Sequence, residues 1–443
     1  MGGGMLRGMI AGLISGLLVF GSSLAMAQEP EGDVAAFRRL RAEGLAAAQA
    51  DDLITASARL AEADERIPNH PGLMILRARL AMAMDDPLEA LIHYGRYGAA
   101  GLVFNVEADT AFADLRARPD HAAGAAVVAG LIEENRQPVG EGALVPLFEL
   151  DGPVLAESLV RDTANDRWLV SQIAGRTIVS VADDGTVSPW LQPHPAVSGV
   201  VGLSLDEARG ILWATTAPLP PAVHGRSDEA PATALLQIDL ATGRVVEVHG
   251  APSDGRDHGF GDLAVGLAGE VYVADGTSGD VYRLDAPTGQ LQSFVTGVFG
   301  SPQGMVVLRD HLFVADYSSG LWRVPLSGGT PVRLAAPSEA SLIGVDGLAT
   351  DGTRLFAIQN GVAPQRVLRL SLMPDHSEIA IVVVLAANMP GLEEPTTGIV
   401  IDGQLVFIAR SQWNGFDQDG APRQTDLPPA QISRLPLTPE QYR

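Results

Sequence analysis

The chain has 443 residues, 46% of them hydrophobic, and its 53 acidic residues against 30 basic ones leave a net charge of −23. Every basic residue is Arg; the lack of Lys excludes Schiff-base chemistry, and so acidic a chain repels nucleic-acid phosphates and anionic lipid, favouring divalent cations and neutral or cationic ligands. There is no Cys, so disulfides and lipoprotein attachment are excluded and the fold must stand on its apolar core. Arg7 is the only charge ahead of an apolar run from Met9 to Phe20, and Ala25-Met26-Ala27 is a small-x-small cleavage site. Residues 1–27 therefore read as a signal peptide, and the mature chain as periplasmic or secreted. An uncleaved anchor is the alternative; no later stretch is long and apolar enough to form a membrane span.

Residues 28–136 read as helical. Asp33, Asp51-Asp52, Pro71 and Asp86-Pro87 each open a helix, and Ala111–Arg116 and one further helix close the region. Gly44, Ala56, Leu60, Ala63 and Pro68 fall on a tetratricopeptide template, as do Ala78, Ala90 and Tyr94 one repeat of about 34 residues later. A degenerate tetratricopeptide-like array would dock a protein partner; a plain helical bundle is the other reading. Residues 137–144 form a Pro/Gly linker.

The remainder, 145–443, repeats a single motif. An apolar strand such as Val345-Asp346-Gly347-Leu348-Ala349-Thr350 is followed by a turn at Asp351-Gly352 and a second strand, Leu355-Phe356-Ala357-Ile358. The same pattern starts near Glu157, Val201, Gly261, Pro302 and Thr396, and the steps Leu159–Leu203, Leu263–Met305 and Met305–Leu348 are each about 42–44 residues. Six such repeats predict a mainly β chain folded as a six-bladed β-propeller, rather than a β-sandwich. The last repeat is one strand short, and Val145–Leu150 is expected to supply it, closing the ring without a free edge.

In a propeller the innermost strands line a central channel, so the strand starts bring Glu157, Asp262, Gln303, Asp346 and Thr397 together. Carboxylate and amide oxygens without His or Cys suit a hard cation, Ca2+ first, and such an ion polarises an ester or lactone carbonyl. An Asp ahead of Gly also caps turns, which is the plainer explanation for any one of these residues. His258, in Asp257-His258-Gly259, is a further candidate near the mouth, as general base or as a surface loop residue. Asn360-Gly361 and Arg366 frame a rim loop, and Ser411–Asn414 leads into a loop that would cover the channel.

The strand starts Glu157-x-Leu159, Pro302-Gln303-Gly304-Met305 and Val345-Asp346-Gly347-Leu348 resemble those of the senescence-marker-protein/gluconolactonase/luciferin-regenerating family over about residues 154–437. That resemblance implies a metal held by Glu157, Asp346 and, where the family has Asn, Gln303. Mg2+, Mn2+ or Zn2+ would be alternatives to Ca2+. It also implies a substrate-side residue at Asp262; His258 and Thr397, near the mouth, are further substrate-side candidates, and Asp346 is the best candidate to take a proton from the attacking water. The expected activity is hydrolysis of a lactone or small ester; the alternative is a non-catalytic propeller that binds a small molecule or protein. Gln303 is one methylene longer than Asn, and Glu157-Ser158-Leu159 departs from the family's Glu-Gly-Pro, which keeps that alternative open.

Overall fold

The computed structural model describes residues 31–226 and 231–437; the signal-peptide reading lies outside them. Six helices come first: α1 (Asp33–Gln49), α2 (Leu53–Arg66), α3 (Pro71–Ala83), α4 (Pro87–Ala99), α5 (Thr110–Ala117) and α6 (Ala122–Glu134). Their starts follow from capping chemistry. Asp52, Asp86 and Asp109 each accept the backbone N–H three residues on, at 3.1 Å, and Pro71 and Pro87 occupy the first helical position, where no N–H is needed. Gly44 lies so close to Leu60 that a Cβ would meet its side chain at 2.7 Å, which explains a small residue where α1 crosses α2. Among the described residues no helix is long and apolar enough to cross a membrane.

Six four-stranded antiparallel sheets follow. Their innermost strands are Ala156–Asp162, Gly199–Asp206, Phe260–Val265, Pro302–Leu308, Val345–Thr350 and Gly398–Ile401, and neighbouring ones touch around a ring. The fold is thus a six-bladed β-propeller with N-terminal helices. Blade six contains Gly398–Ile401, Gln404–Arg410, Ala430–Pro436 and, as its outermost strand, Val145–Leu150. The chain's first strand therefore pairs with its last, Leu150 opposite Ala430, as the strand count predicts.

Apolar residues pack between blades, and the core does not stop at the linker. Val34, Phe37, Leu40, Leu60 and Leu73 of the helices share one buried cluster with Tyr272, Val281, Phe299, Met305 and Trp322 of blades three and four and their connection. Arg38 donates to Gly300 O at 3.1 Å and Arg333 to Arg66 O at 2.8 Å across the same junction.

Candidate functional site at the channel mouth

Five of the six innermost strands carry a β-bulge at their N-terminal end. The register slips between Ala156 and Leu159, Val200 and Leu203, Phe260 and Leu263, Pro302 and Met305, and Val345 and Gly347. The slipped residues include Glu157, Asp262, Gln303 and Asp346. A bulge re-aims side chains out of the regular alternation, which is why these polar groups escape the apolar layer between blades. The glycines beside them serve close packing: a Cβ on Gly304 would stand 2.6 Å from Asp346 O, and one on Gly347 2.1 Å from Thr396 O. Hydroxyls tie the bulges together across blades. Ser171 of blade one donates to Val201 O at 2.7 Å, and Thr215 of blade two to Gly261 O at 2.5 Å.

Three of the expected residues act on one another. The Glu157 carboxyl is pushed well above the usual range by burial first and by Asp346 next; a hydrogen bond from Trp413 opposes this, and Asp262 and Glu394 add to it. Burial raises Asp262 to about 7, against hydrogen bonds from Leu263 and Met305, with Asp346 contributing. Burial likewise raises Asp346 to about 6, opposed by Asn360 and assisted by Glu394. Glu394 is itself raised by burial. Four acids thus crowd one desolvated mouth.

Their partners define the geometry. Trp413 Nε1 donates to Glu157 Oε2 at 2.8 Å, and the hydroxyls of Thr396 and Thr397 both donate to Glu157 O at 3.0 Å. Asn360 Nδ2 donates to Asp346 Oδ2 at 2.6 Å and to Pro395 O at 3.0 Å, while its Oδ1 is buried with no hydrogen-bond partner among the described residues. Leu155, Glu394 and Gln412 all hold positive φ, at 48°, 51° and 85°. Gln412 compensates by accepting from Val154 N and Leu155 N and donating to Gly152 O and Pro428 O, stapling the last blade's loop to the first. Side chains held in this region away from hairpin turns mark a locally strained rim.

Two further expected residues have partners of their own. Gln303 donates to Ser301 Oγ at 3.0 Å, and its carboxamide lies against Gly261 and Gly276 of blade three. His258 has both ring nitrogens engaged, with Asp275 at 2.6 Å and Asp254 at 3.1 Å; burial works against its protonation, but these two acids outweigh burial and raise it. Asn360, Glu394 and Trp413 also join the mouth. Asn360 and Trp413 lie in stretches the sequence marks as rim and cover, whereas Glu394 has no motif around it.

The donors fit a hard divalent cation. They are all oxygens, the carboxylates of Glu157 and Asp346 repel one another without a counter-charge, and Asn360 Oδ1 is buried and has no donor among the described residues. Among the described residues no group of three His, Asp or Glu side chains is placed to hold a metal ion. A cavity of about 470 Å3 lies along the channel: Asp262 and Thr397 bound it, and Arg161 and Glu207 also line it.

No family model matches this chain, and no curated protein does. Solved structures with similar strand arrangements include a gluconolactonase from Xanthomonas campestris, 17% identical over 67% of this chain and 89% of that one, with a TM-score of 0.45. A luciferin-regenerating enzyme is 11% identical over 68% and 95%, TM-score 0.46. A virginiamycin B lyase from Staphylococcus aureus is 14% identical over 64% and 80%, TM-score 0.42. These are likenesses of architecture, and no activity follows from them.

Proposed function

We propose that the protein is an exported, metal-dependent hydrolase of a lactone or similar small ester, working at the channel mouth. The observation that supports this best is the crowding of Glu157, Asp346, Asp262 and Glu394, all with raised carboxyl affinities for protons, at one mouth where the Asn360 carboxamide bonds Asp346 through Nδ2. Glu157, Asp346 and Asn360 Oδ1 would hold the cation. When bound, it would supply Lewis acidity toward a carbonyl oxygen. Asp346, which Asn360 orients, would take the proton of an attacking water and return it to the departing alkoxide, so that one carboxyl serves both halves of the hydrolysis. Asp262, titrating near neutrality, is the second group able to exchange a proton there. Trp413 and Thr397 keep Glu157 in place from its side chain and its backbone.

The test is a panel of sugar lactones, simple γ- and δ-lactones and p-nitrophenyl esters, assayed with excess Ca2+ and with chelator. Asp346→Asn should lower kcat/KM by at least ~100-fold, in the range expected for losing a general base. An active wild type that ignores both chelator and this substitution overturns the reading. A second reading has its own support: of the four mouth acids only Asp262 lines the 470 Å3 cavity in the channel. A propeller that only binds a small molecule in that channel, or a protein partner through the helices, would show no turnover and no cation-dependent rise in Tm.

A further inference from the structure

Arg366 opens the third strand of blade five and is 3% exposed. Its guanidinium is met by oxygens that carry no full charge. Nη1 donates to Ala100 O at 3.0 Å and Gly101 O at 3.2 Å, Nη2 to Ser341 O at 3.4 Å, and Nε to Gln359 Oε1 at 2.6 Å. Ala100 caps α4 and Gly101 follows it, so a buried cation sits on the negative end of that helix and satisfies carbonyls the helix leaves unpaired. Gly101 has φ 71°, and a Cβ there would stand 2.7 Å from Arg366 Nη1; the position requires glycine both for its backbone and for its space.

Two routes run from this clamp to the channel mouth. Gln359, held on Arg366, also donates to Ser341 O and Ile343 O, and it is the residue before Asn360, which bonds Asp346. The loop between Asn360 and Arg366 is gripped from the helical side: Val103 N donates to Ala363 O at 2.7 Å, and Val362 packs into the cluster built from α3 to α6. The same loop carries Gln365, whose Oε1 accepts Glu394 N at 2.7 Å. One short segment therefore links the end of α4 to two of the mouth residues.

We infer that the helical region is part of the scaffold of the site: Arg366, clamped on the end of α4, is a positioning residue that holds Asn360 against Asp346 and, through Gln365, fixes the backbone of Glu394. This rests on the channel mouth being the functional site. Hydrogen exchange on the full chain tests the positioning directly. In Arg366→Met and in Gly101→Ala, which perturbs the clamp from the helical side, the amides of Val103, Gly361 and Glu394 should exchange at least tenfold faster. In Arg333→Met, which removes a different helix–propeller hydrogen bond, they should stay within twofold of wild type. Unchanged exchange in the first two variants, or equal acceleration in all three, overturns the inference. If Arg366→Met does not fold, Gly101→Ala and Arg366→Lys decide by the same amides. Calorimetry with Ca2+ alone separates the two levels of the argument. A wild type that binds Ca2+ should bind it at least tenfold more weakly in Arg366→Met, and equal affinity overturns the positioning role. A wild type that binds none defeats the metal reading, while the exchange result still judges the scaffold.

Discussion

At the scale of single residues, the mouth acids make the stability of the protein depend on pH in an unusual direction. Asp262 is raised to about 7 and Asp346 to about 6 from an ordinary 3.8, burial being the main cause in each. The folded state then binds protons more tightly than the unfolded chain. The stability they contribute is complete below about pH 4 and is lost as pH rises through 6 and 7. In chelator, Tm should fall between pH 5 and pH 8. Asp262→Asn should flatten that fall and raise Tm at pH 8 by about 2–4 °C, the shift about 1 kcal/mol produces in a large domain. A wild-type Tm that climbs over this range would show the acids to be paired. Glu157, Asp262 and Asp346 could be found from sequence because each sits at a fixed place in a repeat. Glu394 could not, because a lone acid in a connection has no periodic neighbour to mark it. The role of Asn360 depends on a loop conformation that no spacing encodes.

At the scale of the element, Asp346-Gly347 and Asp351-Gly352 look alike as sequence and differ in structure. Asp351 Oδ1 accepts from Thr353 N and Arg354 N, and Gly352 has φ 87°, so this pair is a capped hairpin turn. Asp346 takes its hydrogen bond from Asn360, and Gly347 is there so that the neighbouring strand can come close. Strand existence, order and the borrowed outer strand of blade six were all legible from the alternation of apolar residues and the repeat length. The bulges were not, since one extra residue in a strand leaves no compositional trace. Gly347→Ala should cost about 1–3 kcal/mol, the usual penalty for forcing a methyl into a packed site, and should lower cation affinity as well. Denaturant unfolding with and without Ca2+ measures both.

At the scale of the whole molecule, the helices and the ring share a buried cluster and the Arg366 clamp. The Pro/Gly content of residues 137–144 suggests a hinge, yet a linker's composition says nothing of what its flanking parts bury against each other. A chain beginning at Gly142 would expose Tyr272, Phe299 and Trp322; it should melt at least ~10 °C lower or aggregate, consistent with losing several kcal/mol of apolar contact. An unchanged Tm would show the two parts to be independent. The borrowed strand has a kinetic consequence. Val145 pairs with Arg434, so the first strand of the ring to leave the ribosome waits for the last, roughly three hundred residues later, before it has its partner. A contact so distant in sequence carries a large loop-closure entropy and slows folding. During synthesis the incomplete sheet keeps an open edge. Refolding from denaturant should accordingly show a slow final phase, and a chain ending before Ala430 should lack it.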